Sequence, residues 1–360
     1  VTAFAQTTPT GIRRIETALN AQAKIDGIND AMNVDVAIID TGIDLTHPDL
    51  NVYRNVNMIT TLKNGNDDNG HGSHVAGTVA AKDNDDGVVG VAPGARLWAV
   101  KVLNKNGSGN MSDIIEGVDY VTANASEIDV VNMSLGCECT SSALNTAITR
   151  SVAAGVVYVV AAGNNGKDSA TFSPANHAEV ITVSAVADFN GLPGGGGAAT
   201  CRTDVDDTLA DFSNFGSVVD IAAPGVCIYS TWKIGQYSTI SGTSMASPHV
   251  AGAVALHIIK NGKPSNAAGV AAVKNDLIAL AMLQSGPLGF SGDPDGNYEP
   301  VLNLNWPGAS SAASSASSAS SMVSSAASSS VASSSSSSSS SSAMSSSSSS
   351  RRFPWWLWGK

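Results

Sequence analysis

Basic residues are scarce. The chain carries 19 Lys and Arg against 30 Asp and Glu over 360 residues, a formal net charge of −11, and its pI is near 4.8. That balance offers no basic face for a phosphate backbone and argues against a nucleic-acid partner. Long apolar runs are missing as well, with nothing near the roughly 18 consecutive apolar residues of a membrane span. The run Val156-Val157-Tyr158-Val159-Val160-Ala161-Ala162, closed by Gly155 and Gly163, is far shorter and reads as a buried strand. Cysteine is limited to Cys137, Cys139, Cys201 and Cys227, and none has the CxxC or Cys/His spacing of the usual zinc sites. Four cysteines allow three pairings. Cys201 with Cys227 is the preferred one, leaving Cys137 and Cys139 as a short pair or as free thiols. The sequence from Val1 onward shows no signal peptide, and any targeting segment is expected to have been removed already.

What the chain does have in excess is serine, near one end. Residues 306–350 are almost entirely serine and alanine. Such a segment cannot bury enough apolar surface to offset its conformational entropy and is expected to be a linker. An even cysteine count beside a serine linker points outside the cytoplasm, to a secreted protein. Beyond it, 351–360 form a short basic and aromatic tail with no role assigned. Residues 1–305 remain, enough for one sizeable core.

Within them, strand and helix patterns alternate. Residues 34–39, 95–102, 128–133, 156–162, 180–185, 218–222 and 226–231 read as strands, and 71–81, 113–123 and 141–154 as helices. Alternation of this kind predicts a mainly parallel sheet with helices on both faces. Residues 191–197 are rich in glycine and read as a flexible surface insertion. A further turn, Asp293-Pro294-Asp295-Gly296-Asn297, closes the domain, with a second cation loop as the alternative.

Three short stretches carry chemistry. Asp40 follows the first strand in Asp40-Thr41-Gly42, where side chains at the carboxyl ends of strands face a ligand crevice. His71 opens the small-residue helix His71-Gly72-Ser73-His74-Val75-Ala76-Gly77-Thr78 and suits a general base, with His74 as a packed core residue. Ser244 lies in Gly242-Thr243-Ser244-Met245-Ala246-Ser247-Pro248-His249, with Pro248 expected in the first helical turn. Taken singly, these could be a strand-end turn and two helix caps. Together, Asp, His and Ser supply an orienter, a base and a nucleophile, because a serine hydroxyl reacts only when a neighbouring base takes its proton.

These stretches resemble the three active-site signatures of the subtilisin-type serine proteases, in their order and spacing, over residues 6 to about 304. The resemblance implies a three-layer α/β/α domain on a largely parallel sheet. It implies catalytic roles for Asp40, His71 and Ser244, with Asn164 of Ala162-Gly163-Asn164 as an oxyanion donor. Ser134, Leu135 and Gly136 resemble one wall of the substrate pocket, and Ala161, Ala162 and Gly163 the other. Gly107, Ser108 and Gly109 resemble the edge strand on which an extended peptide lies. Small, apolar walls without a carboxylate predict broad cleavage after apolar or medium-sized residues. The resemblance further implies structural calcium bound by Gln6, Asp49, Lys82, Asn84, Asp86 and Val88. It implies protein or peptide substrates, a cleaved inhibitory propeptide ahead of Val1, and a monomer. The alternative is a surface binding or adhesion protein that uses the same fold as a scaffold, which the intact Asp, His and Ser disfavour.

Overall fold

The computed structural model describes residues 6–306. The serine-rich linker, Trp306 aside, and the tail at 351–360 lie outside them. A short helix, α1 (Thr10–Arg14), leads into β1 (Asp35–Asp40), whose six residues are all buried. In chain order there follow β2 (Val52–Asn57), α2 (His71–Ala80), β3 (Arg96–Lys101), α3 (Met111–Ala123), β4 (Val130–Met133), α4 (Ser142–Ala153) and β5 (Val157–Ala161). Then come β6 (Ile181–Ala187), β7 (Thr208–Leu209), β8 (Ile221–Pro224), β9 (Ile228–Trp232), β10 (Gln236–Ile240), α5 (Thr243–Asn261) and α6 (Ala267–Leu280).

The main sheet has the order β2-β3-β1-β4-β5-β6-β7, and β8 also pairs with β6. Every pairing in it is parallel except β6 with β7. Helices cover both faces, as neighbouring strand residues show. Successive side chains of a strand point to opposite sides. Gly117 of α3 lies against Ile39, whereas Gly72 of α2 lies against the adjacent Asp40. With α2 packs α5, which crosses β4, β5, β6 and β8; with α3 packs α4. The α/β/α layering expected from the alternating pattern is therefore present.

Local chemistry accounts for the helices. In α3, Ile114, Gly117, Val118 and Val121 are buried at helical spacing. Ser141 caps α4 by accepting from the Leu144 N–H at 3.2 Å. Helix α5 is buried from Thr243 to Ile258. It begins at Thr243, so Pro248 lies past the first turn, contrary to expectation. The Ser244 carbonyl that Pro248 cannot serve accepts instead from Ser134 Oγ at 2.8 Å.

Three strands escaped the sequence reading. β2 and β10 are largely half-buried or exposed, and β7 is only two residues long. None forms an apolar run. The glycine insertion at 191–197 is more firmly held than its composition suggests. Asp188 accepts from the Gly191 N–H at 3.0 Å, Asp207 from Gly195 at 2.7 Å and Asp206 from Gly197 at 2.6 Å. All three aspartates are buried, and Arg14 Nε pairs with Asp207 at 2.8 Å.

Candidate active site

Parallel strands bring their carboxyl ends to one edge of the sheet, and the chemistry collects there. Asp40 is the last residue of β1, His71 the first of α2, and Ser244 lies in the first turn of α5. Asn164 follows β5. His71 Nδ1 sits 2.9 and 3.0 Å from the two Asp40 carboxylate oxygens, and both residues are buried. A carboxylate can only accept, so Nδ1 carries the proton and Nε2 presents a lone pair. That Nε2 is buried and has no hydrogen-bond partner. Ser244 Oγ donates to the Ser134 carbonyl at 3.2 Å. Catalytic hydrogen bonds often form only with substrate in place.

The loop before His71 is built on a residue the sequence reading passed over. Asp67 Oδ1 accepts from Thr41 Oγ and from the N–H groups of Asn69 and Gly70, each at 2.9 Å. Its Oδ2 accepts from the Ser73 N–H and hydroxyl at 3.0 and 2.7 Å. The signal was there: Asp67-Asp68-Asn69-Gly70 is an Asp-initiated turn, and Asp side chains bond backbone two residues on. Gly70 is required, since its φ is +120° and a Cβ would enter the Trp232 ring. Lys101, also passed over, is buried. It donates to the Thr41 carbonyl at 2.5 Å, the Leu103 carbonyl at 2.9 Å and Asp68 at 2.7 Å.

Asn164 Oδ1 accepts from the Thr243 N–H at 2.8 Å and from Thr243 Oγ at 2.7 Å. This fixes the amide so that its NH₂ end faces away from Thr243. His74 is fully buried, with Nε2 at 2.9 Å from the Ile228 carbonyl; burial pushes its pKa down to about 3, keeping it neutral in the core. His249 behaves alike, pushed down to about 4 by burial with Nδ1 on the Met245 carbonyl.

Residues 134–136 leave β4 and 161–163 end β5, so the two expected pocket walls run side by side on paired strands. Ser134 Oγ reaches the Ser244 carbonyl, and Leu135 is buried. The segment Gly107-Ser108-Gly109 is not a strand: the Asn104 N–H bonds the Ser108 carbonyl at 2.9 Å and the Gly107 N–H bonds Asn104 at 2.8 Å, closing a turn. Both cysteine pairs are disulfides, Cys137 with Cys139 and Cys201 with Cys227. The tip of the first, Glu138, pairs with Lys167 at 2.9 Å.

The six residues expected around calcium also come together. Gln6 Nε2 is surrounded by the carbonyls of Lys82 at 2.5 Å, Val88 at 3.1 Å and Asp86 at 3.3 Å, and by Asn84 Oδ1 at 3.4 Å. Two amide hydrogens cannot serve four acceptors, whereas a hard cation binds several oxygens at once. Asp49 closes the group, accepting from the Val88 N–H at 3.0 Å and from Asn84 Nδ2 at 3.1 Å. Burial pushes its pKa up to about 6, the direction a bound cation would reverse. The residues present fit calcium.

A cleft of about 630 Å³ lies elsewhere, lined by Asn33, Asp35, Tyr53, Arg96, Glu127 and Lys263 among others. It sits at the amino ends of the strands, where Asp35 opens β1 and Arg96 opens β3.

Comparison with known proteins agrees with the geometry. The Subtilase family (Peptidase_S8) matches residues 31–281. Subtilisin DY of Bacillus licheniformis is 44% identical over 259 residues, 71% of this chain and 86% of its own length. Subtilisin E of Bacillus subtilis (strain 168) is 43% identical over 269 residues, which are 73% of this chain and 64% of that protein. A crystal structure of a cold adapted subtilisin-like serine proteinase superposes with a TM-score of 0.64 at 32% identity, covering 82% of this chain and 97% of that one. The chain therefore belongs to the subtilase family and is a subtilisin-like serine endopeptidase.

Proposed function

We propose that this endopeptidase is secreted, has broad specificity and works through an acyl-enzyme on Ser244. The observation that carries the reading is His71, clamped on Asp40 through Nδ1 with its Nε2 unpartnered, at the sheet edge that also holds Ser244 and Asn164. Ser244 Oγ attacks the peptide carbonyl as His71 Nε2 takes its proton. Asp40 stabilises the imidazolium that forms. The Ser244 N–H and the Asn164 amide donate to the oxyanion. His71 then protonates the leaving amine, and a water activated by the same base releases the acid from Ser244. Thr243 acts through Asn164 as a positioning residue.

The walls Ser134-Leu135-Gly136 and Ala161-Ala162-Gly163 carry no charge, and nearby Glu138 is paired with Lys167, which supports cleavage after apolar or medium-sized residues. Gly107, Ser108 and Gly109 would pair with an extended substrate. Calcium, when bound by Gln6, Asp49, Lys82, Asn84, Asp86 and Val88, ties the N-terminal segment to the loop after α2. An Asp49→Asn chain that binds calcium there as tightly as wild type would remove this role. The disulfides support an oxidising, extracellular setting. A monomer made with an inhibitory propeptide completes the reading.

The test is a fluorophosphonate probe together with casein hydrolysis. The wild-type chain should be labelled on Ser244 and should digest casein. Ser244→Ala should lose the label and at least about 10⁴ of the turnover. Undiminished hydrolysis by Ser244→Ala would overturn the assignment.

A further inference from the structure

Near the C-terminal end of the domain, residues 293–299 carry three acidic side chains, Asp293, Asp295 and Glu299. Asp293 and Asp295 are half-buried, Pro294 and Gly296 are exposed, and Glu299 is only 2% exposed. Asp293 Oδ1 accepts from the Asp295 N–H at 3.4 Å, and Asp295 Oδ1 from the Asn297 N–H at 2.7 Å. These are turn bonds and say nothing by themselves about a ligand.

Two buried oxygens behind the turn do. Glu299 Oε1 accepts from Ser184 Oγ at 2.6 Å, but Oε2 is buried without a hydrogen-bond partner. The charges of Asp293 and Asp295 act on that carboxylate, as does its own backbone N–H. Gln284, 7% exposed, donates through Nε2 to Asp293 Oδ2 at 3.1 Å, while its Oε1 is likewise buried and unpartnered. No Lys, Arg or His among the described residues forms an ion pair with Asp293, Asp295 or Glu299.

Both unsatisfied atoms are acceptors, and both belong to a group of uncompensated negative charge. A buried oxygen without a donor is costly, and a buried carboxylate without a counter-charge more so. A hydrogen-bond donor such as water would satisfy the first deficit and leave the second. A cation satisfies both. The donors are oxygens throughout, which favours a hard ion over zinc. A turn with glycine at its tip and room for carbonyls and water suits calcium better than the rigid octahedron of magnesium.

We propose that Asp293, Asp295, Glu299 and the Gln284 Oε1 atom form a calcium site at the C-terminal end of the domain, separate from the one around Gln6 and Asp49. No three acidic side chains among the described residues stand together at ligating distance. In the proposed site the ion would bring Asp293 and Asp295 closer to Glu299. The site would pin the segment that enters the core at Val301, which pairs with Ala222 and Met282 and packs with Val186, Leu209 and Phe290.

Calorimetric titration of the chelator-stripped full chain with calcium chloride tests the site. Asp295→Asn should bind one ion fewer per chain than wild type, and Asp49→Asn,Asp295→Asn fewer again. Adding calcium to the stripped protein should raise the melting temperature less in Asp295→Asn than in wild type. Gln284→Ala, which removes a neutral donor, gives a second reading and should weaken the same ion. Equal stoichiometry and affinity in wild type, Asp295→Asn and Gln284→Ala would overturn the proposal.

Discussion

The two edges of the central sheet both bury charged side chains and use them differently. At the amino ends, every buried charge is answered. Asp35 is gripped by the Arg96 guanidinium and accepts from Trp98 Nε1 at 2.8 Å. Asp129 accepts from the Asp35 N–H at 2.8 Å and pairs with Lys263 at 3.2 Å. Lys263 also donates to the Ala125 and Ile128 carbonyls. At the carboxyl ends, the edge that also holds Ser244, the His71 Nε2 is left without a partner. A cleft of about 630 Å³ lies at the first edge and the candidate catalytic residues at the second. A buried group that is satisfied holds structure together, whereas one left unsatisfied is available to react.

Substitutions at the two edges should separate activity from stability. The largest effect is expected at the reactive edge. Asn164→Ala removes the proposed oxyanion donor and should lower kcat by about 10²–10³, the magnitude known for such a donor in subtilisin, a relative of this chain. Its melting temperature should stay close to wild type. A stable, fully active Asn164→Ala would show that the amide fixed by Thr243 is not aimed at the oxyanion. Next comes the paired edge. Arg96→Met leaves buried Asp35 without its cation and should cost about 2–3 kcal/mol in urea unfolding, somewhat below a fully buried pair because Arg96 is 33% exposed. Turnover per folded molecule should not change. Loss of turnover at constant stability would place that edge in the mechanism.

The sequence disclosed the reactive edge better than the paired one, for a physical reason. Asp40, His71 and Ser244 each sit where a strand ends or a helix begins, and glycines and small residues mark those points locally. The bonds that align them are long-range and were not legible. Asp67 meets Thr41 across 26 residues, and Thr243 meets Asn164 across 79. Pro248 looked like a first-turn residue because its missing N–H is harmless there, and only the fold reveals that Ser134 serves the carbonyl it leaves open. Strands β2 and β10 were invisible since exposed polar strands carry no apolar period. The glycine insertion suggested freedom, while its anchors, Asp206 and Asp207, lie beyond it in the chain and Asp188 before it.

That insertion tests the comparison a third way, through a buried group whose charge is only partly answered. Burial, opposed by Arg14 and reinforced by Asp206 and Asp207, pushes the Asp188 pKa up to about 7, against 3.8 ordinarily. Its folded-state pKa thus lies above the unfolded one. Between about pH 4 and pH 7 the folded chain holds a proton that the unfolded chain has released, so stability falls as pH rises through this window. Asp188→Asn keeps an acceptor for the Gly191 N–H and removes the titration. Wild type should therefore gain about 1–2 kcal/mol between pH 8 and pH 5 that the variant does not, a part of the full linkage of the shift. Urea unfolding of both chains at the two pH values measures the difference. Parallel pH profiles would mean that Asp188 stays ionised throughout, answered by Arg14 as fully as Asp35 is by Arg96, and the insertion would then belong with the paired edge.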